Sequence, residues 1–112
     1  MKLAIIGSRS FDNYEFLKTR FKDIGEIEVV ISGGAKGADA LAEKWALENN
    51  IPTKIFLPDF KKFGRGAYRM RNEEIVNLSD EIIAFWDGKS KGTKNSITYA
   101  RKKNKLVTII SI

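Results

Sequence analysis

Five short apolar runs alternate with amphipathic segments along the chain. The runs are rich in Val, Ile and Leu, and they predict strands over residues 2–6, 27–32, 53–57, 81–86 and 106–111. Each run is nearly continuous in its apolar character, as expected for a strand that is buried on both faces. This pattern is typical of a parallel sheet covered by helices on its two sides.

Between these runs, apolar residues recur at helical spacing. This spacing predicts helices over residues 12–24, 38–49, 65–78 and 93–103. The first helix is expected to begin with a capping box from Asp12 to Glu15. Strict alternation of strands and helices, joined by right-handed crossovers, predicts a single Rossmann-like three-layer α/β/α domain over residues 1–112. We expect a five-stranded parallel sheet in the order 3-2-1-4-5, with the flavodoxin-like order 2-1-3-4-5 as the alternative.

Three loops rich in Gly, Ser and Thr follow the first, second and fourth predicted strands. Their sequences are GSRSF at residues 7–11, SGGAKG at 32–37 and DGKSKGT at 87–93. Each loop alone is explained as a tight turn, and none matches the dinucleotide fingerprint or the P-loop. In the order 3-2-1-4-5, however, all three converge at the carboxyl edge of the sheet, where glycines and helix N-termini favour bound anions. The sequence therefore predicts a phosphate-containing ligand at this edge.

The composition narrows the available chemistry. The 112 residues include neither cysteine nor histidine, which excludes a disulfide framework, a thiolate nucleophile and the commonest metal ligands. We therefore expect no metal site. No apolar run approaches the length of a membrane span, and the run at the N-terminus is too short for a signal peptide. We expect a cytoplasmic protein without membrane contact.

The net charge of +6 comes from the second half of the chain. Residues 1–57 contain eight basic and eight acidic side chains, whereas residues 58–112 contain twelve basic and six acidic ones. This asymmetry indicates an anion-binding face, and a lysine-rich solvated surface is the simpler alternative.

Several side chains near the loops have two interpretations. Asp39 either contacts a ligand hydroxyl or caps its helix, and Asp87 either orients a ribose or a water molecule or belongs to an ordinary Asp-Gly turn. Arg71 either reaches a phosphate or lies on a solvated helix face. Tyr68 and Trp86 carry rings that would stack on a base, although Trp86 ends a strand and such a residue more often belongs to the core.

Four segments occur in the order GSRSF, VVISGGAKGADALAEKWALENNIP, GRGAYRMRNEEIV and IIAFWDGKSKGT, and they cover nearly the whole chain. As a set they resemble the YspA-type, YpsA-related branch of the SLOG superfamily. The resemblance implies a Rossmann-like sheet with a pocket for a nucleotide or an ADP-ribose-like ligand, in a sensor or a sequestering protein. A homo-oligomer is compatible with this fold, because such pockets often lie near subunit contacts. The loops and the resemblance together predict the following ligand-binding residues: Gly7, Ser8, Arg9, Ser32, Gly33, Gly34, Lys36, Gly37, Asp39, Arg71, Asn72, Asp87, Gly92 and Thr93.

Two related families imply different activities. Lonely-guy phosphoribohydrolases share a glycine-rich loop followed by G-T-x-x-E, and the corresponding GTKNS places Ser96 where their glutamate stands. A hydrolase that cleaves an N-glycosidic or phosphate bond of a nucleotide would therefore need another carboxylate, for which Asp39 and Asp87 are the candidates. DprA proteins share an SGxAxGxD run, matched here from Ser32 to Asp39, and imply binding of single-stranded DNA. Ligand binding, hydrolysis and DNA binding are thus three open hypotheses.

Overall fold

Five parallel strands form one sheet at the centre of the molecule, in a computed structural model that describes residues 1–112. The strands are β1 (Lys2–Gly7), β2 (Val29–Ser32), β3 (Thr53–Ile55), β4 (Glu81–Trp86) and β5 (Leu106–Ser111). Their order is β3-β2-β1-β4-β5, and all four pairings are parallel. The predicted sheet order and the α/β fold class are confirmed.

Five helices connect the strands. They are α1 (Tyr14–Arg20), α2 (Ala38–Glu48), the short α3 (Phe60–Phe63), α4 (Ala67–Leu78) and α5 (Lys91–Lys102). The sequence predicted one helix over residues 65–78, whereas the structure has α3, a 3₁₀ turn at Gly64–Gly66 and then α4. None of the helices combines the length and the apolar character needed to span a bilayer.

The start of α1 differs from its prediction. The side chain of Asn13 accepts a hydrogen bond from the Phe16 N–H at 3.0 Å and caps the helix. The predicted capping box from Asp12 to Glu15 is wrong, because the first helical residue is Tyr14 and Asp12 therefore lies one position too early to be the cap.

Two apolar cores cover the two faces of the sheet. Alternate residues of β1 point to opposite faces, so that Leu3 and Ile5 pack with α1 and α2 while Ala4 and Ile6 pack with α4 and α5. The edge strands do not follow the prediction of burial on both faces. All three residues of β3 are exposed, and in β5 only Ile110 is buried, because an edge strand has a neighbouring strand on one side only.

Strand β1 determines where a site can form. The chain passes from β1 to β2 on one side, and β4 pairs with β1 on its other side. Loops that leave the carboxyl ends of β1 and β4 therefore diverge to opposite faces and leave a crevice between them.

Candidate functional site

A cavity of about 510 Å³ occupies this crevice, and we call it the main cavity. Nine of the fourteen predicted ligand-binding residues line it, and they come from the ends of β1 and β4 and from α2, α4 and α5. These nine are Gly7, Ser8, Arg9, Asp39, Arg71, Asn72, Asp87, Gly92 and Thr93. The structure therefore brings most of the predicted site into one place.

The remaining five predicted residues lie elsewhere. Gly33, Gly34 and Lys36 line a smaller neighbouring cavity of about 260 Å³, which shares the walls formed by Arg9 and Arg71 with the main cavity. We call it the side cavity.

Ser32 and Gly37 line neither of these two cavities. Ser32 is fully buried, and its hydroxyl donates to Glu43 at 2.7 Å on α2 while accepting from the Gly34 N–H at 3.3 Å. The role of Ser32 in this structure is to hold the glycine-rich loop against α2.

Ser8 joins the three loops to one another. Its backbone N–H donates to the Phe85 carbonyl at 2.9 Å, and its own carbonyl accepts from the Ala38 N–H at 3.2 Å at the start of α2. Its hydroxyl accepts from the Asp87 N–H at 3.1 Å. This 1% exposed serine therefore connects β1 to β4, to α2 and to the β4–α5 loop.

Gly37 is required by the contact between two loops. Its φ is +81°, and a Cβ atom at this position would lie 2.5 Å from the carbonyl oxygens of both Ser8 and Arg9. Any other residue would be strained in this conformation and would also push the two loops apart. The glycine thus explains how the β2–α2 loop approaches the β1–α1 loop.

Arg71 is a buried cation on the wall of the main cavity. It is 8% exposed, and its Nη1 atom donates to the Gly33 carbonyl at 2.6 Å, while its Nε atom donates to the Asn72 side chain at 2.7 Å. No carboxylate lies within 4.0 Å of the guanidinium of Arg71 or of Arg9. Burial lowers the pKa of Arg71, and Asp39 opposes this shift.

Asp39 is the acidic counterpart of Arg71 in the main cavity. It is 8% exposed, and its Oδ2 atom accepts from the Ala35 N–H at 3.2 Å. Burial raises the pKa of Asp39 from 3.8 to about 6, although the Ala35 N–H and the charge of Arg71 act in the opposite direction. Asp39 both shapes the glycine-rich loop and presents a carboxyl group that titrates near neutral pH.

Asp87 organises the entry to α5. Its Oδ1 atom accepts from the Lys89 and Ser90 N–H groups, both at 2.8 Å, and these bonds lower the pKa of the carboxyl group. Ser90 then caps α5, because its hydroxyl lies 3.0 Å from the Thr93 hydroxyl and accepts from the Thr93 N–H at 3.4 Å. The amides of Lys91 and Gly92, at the start of α5, donate to no group of the chain.

Some residues of the main cavity were not among the fourteen predicted ligand-binding residues, although Tyr68 was predicted as a candidate to stack on a base. The polar ones among them are Ser10, Tyr68, Ser90 and Ser96. Ser96 follows Thr93 by three residues on α5, so helical spacing alone places both side chains on one face. Tyr68 precedes Arg71 by three residues on α4 and is also a wall of the side cavity. Trp86 lines neither of the two cavities, is half-buried against the α4–α5 core, and donates through Nε1 to the Ser90 carbonyl at 3.0 Å.

Sheet order and cavity position define a Rossmann-like domain with its candidate site at the strand-order switch point. The chain belongs to the YAcAr family, described as the YspA, cpYpsA-related SLOG family, whose model matches residues 1–63.

Two curated proteins of phage or prophage origin share sequence with this chain. It is 35% identical over 80 residues to the Gene 61 protein of Mycobacterium phage D29, a match that covers 66% of this chain and 64% of that protein. It is 37% identical over 41 residues to the SPbeta prophage-derived protein YoqJ of Bacillus subtilis strain 168, covering 37% of this chain and 24% of that protein. The chain thus spans less than two thirds of the length of either relative.

Two solved structures of DNA processing protein A share the fold. The protein from Streptococcus pneumoniae superposes with a TM-score of 0.83 at 21% identity, over 99% of this chain and 50% of that one. The protein from Helicobacter pylori, described for its single-stranded DNA binding mode, superposes with a TM-score of 0.74 at 25% identity, over 97% of this chain and 64% of that one.

Proposed function

We propose that this protein binds a nucleotide or a nucleotide-derived, ADP-ribose-like ligand in the main cavity, as a sensor or a sequestering protein. The observation that carries the proposal is the buried guanidinium of Arg71, which faces the cavity beside Arg9 with no carboxylate within 4.0 Å. A buried cation without an ion-pair partner is costly, and a bound anion would compensate it. The Nε and Nη1 atoms of Arg71 already donate to Asn72 and Gly33, so its Nη2 atom and the guanidinium of Arg9 are the donors left for a phosphate.

The start of α5 supports a phosphate at the same place. The unpaired amides of Lys91 and Gly92 belong to a helix of twelve residues, whose N-terminus favours negative charge. A Cβ atom on Gly92 would meet nothing within 4 Å, so the backbone here is open to a close approach.

The rest of the lining suits a sugar. Hydroxyl and amide groups of Asn72, Ser90 and Ser96 face the cavity together with the Asp87 carboxylate. Such groups are the partners that ribose hydroxyls use in proteins. A volume of about 510 Å³ also lies within the range of small-ligand sites.

Calorimetric titration with the four ribonucleoside 5′-monophosphates and with ADP-ribose tests this proposal. The informative variant is Arg9→Gln, because Arg9 is exposed at the cavity wall and its loss should spare the fold. We expect its affinity to fall about tenfold or more, as for a lost charge-assisted hydrogen bond. Arg20→Gln, which removes an exposed arginine at the end of α1, is the matched control and should bind as the wild type does. No binding to the wild type, or equal losses in both variants, would contradict the proposal.

Binding of single-stranded DNA is a second candidate. The Helicobacter pylori structural neighbour is described as a single-stranded DNA-binding protein, and the C-terminal half of this chain carries the excess of positive charge. Fluorescence anisotropy with oligonucleotides of increasing length separates this candidate from the first. A DNA-binding protein would bind longer strands more tightly and would lose affinity steeply with salt.

Hydrolysis of the bound nucleotide is a third candidate, supported by the Asp39 carboxyl group, whose pKa of about 6 suits acid–base chemistry. The Ser96 hydroxyl, however, offers no carboxylate for a developing oxocarbenium ion. Chromatography after prolonged incubation with nucleotides checks this candidate, since a product that disappears in Asp39→Asn would establish it.

A further inference from the structure

A second groove opens from the main cavity between α4 and α5. It has a volume of about 450 Å³, and we call it the α4–α5 groove. Four residues line both spaces: Tyr68, Asn72, Gly92 and Ser96. These shared residues place the groove directly beside the main cavity, close enough for one ligand to contact both spaces.

The groove carries an excess of positive charge. Arg65, Arg69 and Lys102 line it together with a single carboxylate, that of Glu73, which lies 3.5 Å from the Arg69 Nε atom. The main cavity differs, because its two arginines and two aspartates balance one another. The additional anionic charge of a ligand is therefore attracted to the groove rather than to the main cavity.

The aromatic rings of Tyr68 and Tyr99 line the groove together with its charged groups. The Tyr99 hydroxyl donates to the Asn77 side chain at 3.0 Å, which fixes the position of this half-buried ring. Tyr68 lies near two guanidinium groups, with the Arg71 Cζ atom 5.6 Å from its ring centroid. A flat or apolar part of a ligand thus finds contact surface beside the arginine side chains.

Helix geometry separates the arginines of the groove from Arg71 of the main cavity. Arg65 lies in the 3₁₀ turn before α4, and Arg69 lies about one turn later, near the start of α4. Arg71 follows Arg69 by two residues and therefore points to a different side of the helix. The width of an α-helix with its side chains is about 10 Å. We therefore expect phosphates on either side of a sugar to reach both sets of arginines better than two directly joined phosphates do.

We propose that the α4–α5 groove is a second phosphate subsite, and that the ligand is a nucleotide with two phosphates separated by a nucleoside. A nucleoside 3′,5′-bisphosphate or a short dinucleotide has this chemistry. The proposal rests on the proposed function of the main cavity, because the first phosphate binds there beside Arg9 and Arg71. It also gives the positive charge of the C-terminal half a specific role.

The test compares ligands on the intact protein by calorimetric titration. The nucleoside 5′-monophosphate that binds most tightly is compared with its own 3′,5′-bisphosphate and with its 5′-diphosphate. We expect the bisphosphate to bind about tenfold or more tightly than the monophosphate, as two additional charge-assisted hydrogen bonds allow. The 5′-diphosphate should gain much less, because its phosphates are directly joined.

Paired variants assign the gain to the groove. In Arg65→Gln/Lys102→Gln the bisphosphate advantage should disappear, while the affinity for the monophosphate stays within about twofold, because neither residue lines the main cavity. Lys22→Gln/Lys44→Gln removes the same charge from the opposite, α1–α2 side, and should keep the advantage.

Three results would overturn the subsite while leaving the proposed function intact. These are equal affinity for monophosphate and bisphosphate, an advantage that survives in the groove variant, and one that is lost equally in both variants. Affinity that continues to rise for strands longer than two nucleotides would assign the groove to nucleic acid instead. Absence of binding to any nucleotide would overturn the proposed function together with the subsite.

Discussion

Asp39→Asn tests whether the fold disfavours ionisation of the carboxyl group at the main cavity. Burial raises the pKa of Asp39 from 3.8 to about 6, and the neighbouring charge of Glu43 on α2 adds to the increase. The Ala35 N–H and Arg71 favour the charged form but do not offset burial. Asparagine is neutral at every pH, has nearly the same shape, and retains an oxygen that can accept from the Ala35 N–H.

The sign and size of the effect follow from linkage. Between pH 4 and 6 the folded protein holds a proton on Asp39 that the unfolded chain has released, so the free energy of unfolding falls as the pH rises. Above about pH 7 Asp39 is ionised in both states and the loss is complete. A shift of about two pKa units corresponds to about 3 kcal/mol. The variant avoids this loss, so its stability relative to the wild type should increase by about 2.5 kcal/mol from pH 4 to pH 7, the remainder being lost below pH 4.

Urea denaturation followed by circular dichroism at pH 4, 5, 6 and 7 measures this difference. The control is Asp23→Asn, which removes an exposed carboxylate after α1 and so reports any general effect of charge on stability. A difference between Asp39→Asn and the wild type that stays constant from pH 4 to 7 would refute the reasoning. A difference that falls with pH would show instead that the pKa of Asp39 is lowered.

Two further substitutions, one of them with a matched control, test how the loops are held together. Gly37→Ala should lower the free energy of unfolding by about 3 kcal/mol or more, because it combines a positive φ with a clash against two carbonyl oxygens. Gly64→Ala, which also has a positive φ but open space around it, should cost about 1 kcal/mol in the same urea denaturation. Ser8→Ala should cost about 1–3 kcal/mol, because the Asp87 N–H loses its acceptor. The same variant should bind nucleotides less tightly in calorimetric titration, and unchanged affinity would show that the β4–α5 loop keeps its place without this bond.

The topology could be predicted from the sequence because it depends on local pattern and chain connectivity. Alternating strands and helices with right-handed crossovers leave few sheet orders, and the predicted one among them is the order observed. Burial of the edge strands could not be predicted in the same way. The apolar runs of β3 and β5 resemble those of the central strands, and only the completed sheet shows that they lie at its edges.

The candidate site was only partly predictable, because residues that are neighbours in the sequence do not all line the same cavity. The segment SGGAKG has the composition expected of an anion-binding loop, yet its residues have different roles in the structure. Gly33 and Gly34 face the side cavity, while Gly37 is required by loop packing and Ser32 is bonded to α2. Ser96 lies on the same face of α5 as Thr93, which helical spacing alone allows one to foresee.

The charge of the site has a different origin from its shape. Loops from β1, β2 and β4 form the crevice, but the buried guanidinium belongs to α4, where Arg71 donates to the carbonyl of Gly33, 38 residues earlier in the chain. Because that bond uses a backbone carbonyl rather than a carboxylate, the arginine is positioned by the glycine-rich loop without being neutralised by it. The main role of the glycine-rich loop is therefore to position Arg71, which belongs to α4. Under the proposed function, a family member with an intact glycine-rich loop but no arginine on α4 would keep the crevice and bind phosphate more weakly.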